Sequence, residues 1–381
     1  MGNQKLIRKI NRSEIIELIK KDGPLSRVEL TRRTGLSLPS ISRIVNQLIK
    51  EQLVLERGKG PSSGGKKPIL LEINANRGYA FGVELARKTY LLLCNLLGEI
   101  IVQKEVIPNA SQGPYSIANS LLQEMKNIQK VFEIPSHQII GVGIATPGYK
   151  FKATDLIKES PFAGWENTDI VDLFSSIFPY PVTIENIARA STLAEVQFGW
   201  GNQYDYFFYI YADWGIGGGI VHQGKLLRGA TGTCGEFGHI TIDQDGIPCY
   251  CGNRGCLEQY TSTASIVREL KQRGISNFDQ VMESLNKGDK VVESVLKKAG
   301  QAMGKGIANL VNLLNPQAVI IGGEIGNRCG IFCEEATYTA KENIFSLLAV
   351  NTPILKSNLG RESIALGIAS EIISTHLAQL I

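Results

Sequence analysis

The sequence predicts an α/β protein in two unlike parts, a small basic domain of helices and a hairpin followed by a larger body of alternating strands and helices. Charge is the first of three observations behind this. Residues 1–76 carry 15 Lys/Arg against 7 Asp/Glu, and the remaining 305 residues carry 25 against 29, although the whole chain of 381 residues is only +4. The second is periodicity, which is helical up to about residue 48 and strand-like beyond Gly78. The third is a cluster, because three of the seven cysteines fall within eight positions, Cys249 to Cys256, shortly after His239, one of only four histidines.

In the first 76 residues, Ile7, Ile10, Ile15, Ile16, Leu18 and Ile19 recur at helical spacing, and Asp22-Gly23-Pro24 stops that helix. Ser26 with Glu29 three residues on is a capping box that opens a short helix to Thr34. Gly35-Leu36-Ser37 is the turn, and Ser37 with an early Pro39 opens a second helix to Leu48. Ile41, Ile44, Val45 and Leu48 form its buried face, so Ser40, Ser42, Arg43, Asn46 and Gln47 point outward. Residues 53–57 and 68–73 read as two strands joined by the glycine- and lysine-rich loop 58–67.

Helix, turn, helix and basic hairpin in this order form a winged helix-turn-helix, whose second helix enters a major groove. Ser40, Ser42, Arg43 and Asn46 are therefore expected to face DNA from that helix. Lys59, Lys66 and Lys67 are expected to reach phosphates or a minor groove from the wing. The alternative is a three-helix bundle with a solvated polar face. A basic domain on a mildly acidic body assigns nucleic-acid binding to the first part and not to the second.

Beyond Gly78, strands are expected over 79–85, 90–94 and 99–102, a helix over 115–132 and a buried strand over 138–148. Further on, helices are expected over 261–273, 278–285 and 291–314, a buried strand with a glycine turn over 315–326, and a terminal helix over 363–380. No apolar run approaches the roughly 18 to 20 residues of a membrane span, and no apolar signal-peptide core follows Met1. A cytoplasmic protein is expected, with Cys94, Cys234, Cys329 and Cys333 as free thiols.

Thiolate and imidazole are the ligands of four-coordinate Zn2+, and closed Cys3His sites are structural. His239, Cys249, Cys251 and Cys256, interleaved with Pro248, Gly252 and Gly255 so that the chain can fold back, are expected to hold a structural zinc. The bland alternative is four small residues in a turn, since cysteine also serves as a small buried hydrophobe.

The run Glu236-Phe-Gly-His239 followed by Cys-x-Cys-Gly-x-x-Gly-Cys-Leu-Glu258 resembles the zinc-and-sugar signature of the ROK family, which contains sugar kinases and sugar-responsive repressors. The resemblance runs from about residue 78 to the end. It implies a two-lobed actin-like ATPase fold in which Asn186, Glu236, His239 and Glu258 face a sugar and Phe162-Ala-Gly-Trp165 covers it. It also lets the kinase question be put residue by residue. The first phosphate turn of the kinases has two glycines where this chain has Glu84-Leu-Ala-Arg87, and the second begins Gly-Thr-Gly where this chain has Asp213-Trp214-Gly215. Their catalytic aspartate follows Glu-Asn, where this chain has Glu185-Asn186-Ile187, and isoleucine cannot accept a proton.

No catalytic residue is therefore expected. The chain resembles the NagC/XylR group of the family, which implies a sugar-responsive transcriptional repressor with operator DNA, a small-molecule sugar and a second copy of itself as partners. The alternatives are a sugar kinase with an accessory DNA-binding domain, and a DNA-bound adaptor whose body meets a protein partner. The expected units are residues 1–76, a small lobe of 77–184 plus 361–381, and a large lobe of 185–360 with the zinc loop. A dimer or tetramer is expected because one recognition helix reads too few base pairs.

Overall fold

The computed structural model describes residues 2–60, 67–86, 88–106, 113–148, 169–345, 347 and 349–380. Helix α1 (Gly2–Asp22) buries Ile15, Ile16 and Ile19 but leaves Ile7 and Ile10 exposed, so its first half projects beyond the core. A two-residue strand, β1 (Leu25–Ser26), was not expected from the sequence. The capping box of α2 (Arg27–Thr34) is present: the Ser26 hydroxyl accepts from Glu29 N, and the Glu29 carboxylate accepts from Ser26 N at 2.7 Å. Gly35 ends that helix with φ of 71°, a left-handed conformation for which glycine carries no Cβ penalty.

Helix α3 (Leu38–Lys50) buries Ile41, Val45 and Leu48. Ser37 stands at its N-cap, but its hydroxyl bonds to that of Ser40 at 3.0 Å rather than to the backbone. Strands β2 (Val54–Lys59) and β3 (Ile69–Ile73) pair antiparallel and complete a three-stranded sheet in the order β1-β3-β2.

The body starts with β4 (Tyr79–Leu85), β5 (Thr89–Asn95), β6 (Ile100–Val106), α4 (Gly113–Val131), β7 (Ile139–Thr146), α5 (Ile170–Ile177) and β8 (Val182–Asn186). They form a sheet in the order β6-β5-β4-β7-β8, antiparallel on the β6 side and parallel on the β8 side. After α6 (Ile187–Phe198) come β9 (Phe207–Ala212), β10 (Ile216–His222) and β11 (Lys225–Leu226), then the cysteine loop. Helices α7 (Glu258–Thr261), α8 (Thr263–Leu270), α9 (Phe278–Asn286) and α10 (Lys290–Leu314) lead to β12 (Ala318–Gly322). Helices α11 (Gly323–Arg328) and α12 (Gly330–Asn343), β13 (Ile354–Lys356) and α13 (Ser363–Gln379) finish the chain, and the second sheet has the order β11-β10-β9-β12-β13.

The single helix expected over 261–273 is divided. Ser262 is extended and its side chain caps α8 by accepting from Ser265 N, and residues 271–273 form a 3-10 turn. Helices α6 and α13 meet backbone to backbone, because a Cβ on Gly367 would lie 1.8 Å from the Ala190 carbonyl oxygen. Only glycine admits that approach.

The amino-terminal domain shares its core with the body. One apolar cluster joins Ile15, Leu30, Val45 and Leu71 to Leu92 and Cys94 of β5 and to Ala369, Ile372 and Ile373 of α13. On its edge the Lys20 ammonium of α1 donates to Gln197 Oε1 near the end of α6 at 3.2 Å, and burial pushes the Lys20 pKa down.

Candidate functional site

The cysteine loop is pinned by two isolated bridges, Thr241 with Cys256 and Pro248 with Arg254. Gly255 makes the reversal, with φ of 67° and the Asp243 carbonyl oxygen 1.6 Å from where a Cβ would stand. This fold-back gathers one ligand atom each from His239, Cys249, Cys251 and Cys256, all within 4.8 Å of one another. His239 turns Nδ1 towards Cys249 Sγ at 3.6 Å, and Cys251 Sγ lies 3.6 Å from Cys256 Sγ. A tetrahedron with bonds of about 2.0 to 2.3 Å has edges of roughly 3.3 to 3.8 Å, so the His239–Cys249 and Cys251–Cys256 separations match such edges, while the group as a whole, within 4.8 Å, is somewhat wider.

The electrostatics agree with the geometry. Burial and the neighbouring thiols push the Cys256 thiol up to about 12, because several thiolates this close repel one another without a cation. Cys251 is exposed, and although what burial it has acts upwards, hydrogen bonds from Asn253 and the neighbouring cysteines hold it below the usual thiol range. The cluster can hold a metal ion.

Three of the residues expected to face a sugar sit where elements begin. Asn186 ends β8 and caps α6, its Oδ1 accepting from Ala188 N at 2.9 Å while Nδ2 donates to the Gly148 carbonyl at 3.3 Å. Glu236 precedes the 3-10 turn Phe237–His239, which delivers His239 to the cysteine cluster by Nδ1 and leaves Nε2 outside it, 3.2 Å from the Tyr250 hydroxyl. Glu258 is the first residue of α7, two positions beyond Cys256, and is only 7% exposed. Its Oε2 accepts from Ile216 N at 2.8 Å, so the carboxylate also anchors the start of β10. Phe162, Trp165, Arg87 and Lys66 lie outside the described residues.

Beside Asn186 is an ionic group that the sequence reading missed. Glu185 pairs with Arg189 at 2.7 Å and with Arg228, and Arg228 also pairs with Glu371 of α13 at 2.9 Å. Burial pushes the Glu185 carboxyl up, but the two arginines outweigh it and hold it below the usual carboxylate range. The spacing of Glu185 and Arg189, four apart across a helix start, was the available signal.

At the positions compared with the kinases' phosphate turns, Asp213 and Glu84 bond within the protein. Asp213 accepts from the Tyr211 hydroxyl at 2.8 Å and from Trp214 N at 2.7 Å. The glycines that follow serve packing: a Cβ on Gly217 would stand 2.6 Å from the Ala188 Cβ, and one on Gly219 would stand 2.3 Å from Thr192 Oγ1, both on α6. Glu84 is 3% exposed, and burial pushes its carboxyl up to about 7, with Arg361 opposing and Asp213 adding to the shift. Ile187 packs with Ala145, Ala190, Ile364 and Ile368 in an apolar cluster.

On the amino-terminal domain, Arg43 and Asn46 are exposed on α3, while Ser40 and Ser42 are half-buried. Asn46 Oδ1 accepts from Arg27 at 3.1 Å, and Arg27 also pairs with Glu56 of β2 at 3.0 Å, so α3 is tied to the hairpin through one guanidinium. Lys59 is the last residue of β2, and Lys67, at the end of the 58–67 loop, is exposed.

Residues 81–374 match the model of the ROK family, and residues 8–54 match a winged helix-turn-helix DNA-binding model. A xylose repressor of Caldicellulosiruptor bescii is 31% identical over 99% of this chain and 99% of its own. The DNA-binding transcriptional dual regulator NagC of Escherichia coli is 26% identical over 95% of this chain and 92% of its own. The crystal structure of a ROK family transcriptional regulator, a homologue of the Escherichia coli MLC protein, superposes with a TM-score of 0.81 at 24% identity, covering 98% of both chains.

Proposed function

Because the chain belongs to the ROK family and carries a winged helix-turn-helix in front of the family body, we propose that it is a transcriptional repressor that binds an operator and releases it on binding a neutral sugar. The observation that carries this reading is the shared core of the amino-terminal domain and the body, since a DNA-binding unit packed on β5 and α13 responds to any rearrangement of the lobes. Full-length similarity to a xylose repressor supports the class and makes xylose the first sugar to test. The units are residues 1–76, 77–184 with 361–381, and 185–360, and the second division falls inside β8.

In this reading His239, Cys249, Cys251 and Cys256 hold a structural Zn2+, which the separations within the cluster support. The zinc supplies rigidity, fixing the loop that carries Glu258. Asn186, Glu236, His239 through Nε2 and Glu258 take the sugar. The body is not an enzyme: Ile187 packs in apolar surroundings where a general base is required, and Asp213 places a carboxylate in the turn where phosphates would lie. Ser40, Ser42, Arg43 and Asn46 face the major groove, with Lys59, Lys66 and Lys67 on the backbone. The protein acts in the cytoplasm as a dimer or tetramer, because paired half-sites need two recognition helices.

Gel-shift titration of a palindromic operator selected from random DNA tests the reading. Affinity is expected to fall about a hundredfold with saturating xylose or another neutral sugar, which corresponds to about 2.7 kcal/mol. Coupled ADP release at an ordinary enzymatic rate of about 1 per second or more, with any sugar of the same panel, supports the kinase alternative instead.

One helix joins the proposed sugar site to the DNA-binding domain. Helix α6 starts at its cap Asn186, is buried through Glu195, and contacts Lys20 of the DNA-binding domain through Gln197. A sugar that alters the hydrogen bonds of Asn186 therefore acts on one end of a rigid rod whose other end holds α1. Lys20→Met should keep operator affinity and sugar affinity within about twofold of the parent while cutting the sugar-induced loss of operator affinity about tenfold, a change of about 1.4 kcal/mol in coupling. Titrations of DNA and sugar, separately and together, check this. A Lys20→Met protein with undiminished response excludes the α6 contact as the route.

A further inference from the structure

A side chain outside the four ligands reaches the metal cluster: Gln259 Nε2 donates to Cys249 Sγ at 3.6 Å. Gln259 is held by one guanidinium, Arg268 of α8, which donates to Gln259 Oε1 at 3.0 Å and to the Gln259 carbonyl oxygen at 2.8 Å. The direction of this chain follows from chemistry alone. Arginine has donors only, so the amide must turn its oxygen to Arg268, which leaves its NH2 group facing the sulfur. A fixed N–H donor at that point suits a thiolate, the form in which cysteine binds a metal. Gln259 is half-buried and follows Glu258 directly, so one helical turn, α7, carries both this donor and the carboxylate that anchors Ile216.

We propose that Gln259, oriented by Arg268, is a positioning residue for the metal centre and couples occupancy of that centre to the placement of Glu258. The proposal rests on the reading of the cluster as a zinc site. Outer partners of metal ligands typically contribute about ten- to hundredfold in metal affinity. Here the contribution comes from an N–H that stabilises the Cys249 thiolate.

The test is the rate at which zinc-loaded full-length protein gives up its metal to a chromophoric chelator in excess. Gln259→Ala is expected to release zinc about ten- to hundredfold faster than the parent. Gln259→Glu, although closest in shape, is expected to be faster still, because a carboxylate beside a thiolate repels it. A residue that serves packing alone predicts the reverse order, with the isosteric glutamate nearest the parent. Arg268 is exposed, so Arg268→Ala should fold normally; it is expected to release zinc at an intermediate rate, with Arg268→Lys restoring part of the difference. Release within twofold of the parent in both Gln259 variants overturns the proposal, as does glutamate outperforming alanine. An unchanged rate in Arg268→Ala overturns the orienting role. A parent protein that loads no zinc overturns the metal reading itself, and that result is read before any variant is compared.

Discussion

Cys251→Ser protein purified without added metal should contain far less zinc than the parent, which should carry about one ion per chain held by four ligands. Cys251 is the exposed member of the cluster whereas Cys256 is fully buried, so serine at 251 removes a ligand without opening the core. Structural zinc contributes about 10 to 16 kcal/mol of apparent binding free energy in small peptides at neutral pH. Within this chain, the residues on either side of the loop are already held by packing of Phe237 and Leu257 in the large core, so the loss should be local. The expected result is a melting temperature lower by several degrees and a sugar affinity at least about tenfold weaker, about 1.4 kcal/mol or more, because Glu258 follows Cys256 by two positions. Operator affinity without sugar should change little, since neither the shared core nor the Lys20–Gln197 contact involves the loop. Elemental analysis, thermal melts and sugar titration measure the three quantities. Zinc-free protein that binds sugar as tightly as the parent separates the cluster from the sugar site.

Glu258→Gln should reduce the sugar-induced loss of operator affinity from about a hundredfold to less than about tenfold, since a hydrogen bond to a charged group contributes about 1.5 to 3 kcal/mol. The structure decides which substitution to make. Glu258 Oε2 accepts from the buried Ile216 N–H, so alanine orphans a backbone donor at a cost of about 1 to 3 kcal/mol and confounds sugar binding with stability. Glutamine keeps an acceptor for Ile216 and removes the charge. Arg43→Ala is the crossed control. With an exposed guanidinium on α3, its loss should weaken operator binding by about 1 to 3 kcal/mol and leave sugar affinity intact. Gel shifts with and without sugar read both variants. A Glu258→Gln protein that releases its operator as fully as the parent places the effector elsewhere.

Much of the fold was legible because its signals are local. Ser26 and Glu29 are three residues apart and form their capping box whatever lies around them, and Gly35 marks a helix end by its own φ. The cysteine cluster was legible for the same reason, since its three sulfurs lie within eight positions and Gly255 has to be glycine for the loop to close. The break at Ser262 was missed because the apolar periodicity continues through it, while the extended conformation and the Ser265 cap depend on the backbone around them. Strand β1 is two residues long and has no pattern of its own; it exists because β3 offers it an edge. Asn46 reads as a free base-contacting side chain in sequence, and only the approach of Arg27 and Glu56 shows it tied to the hairpin.

By itself, then, the sequence determined what depends on neighbours along the chain: helix periods and caps, the basic winged domain, the cysteine cluster of the loop and the isoleucine at 187. The tertiary structure alone decided what depends on partners far apart in sequence. It brought Glu258 to Ile216 across 42 positions and Lys20 to Gln197 across 177. It also made the amino-terminal domain part of the body's core rather than an appendage. The reason is physical. Caps and periods are settled by interactions within one or two turns, whereas the face on which a helix packs is settled by apolar surface that only the assembled sheets present.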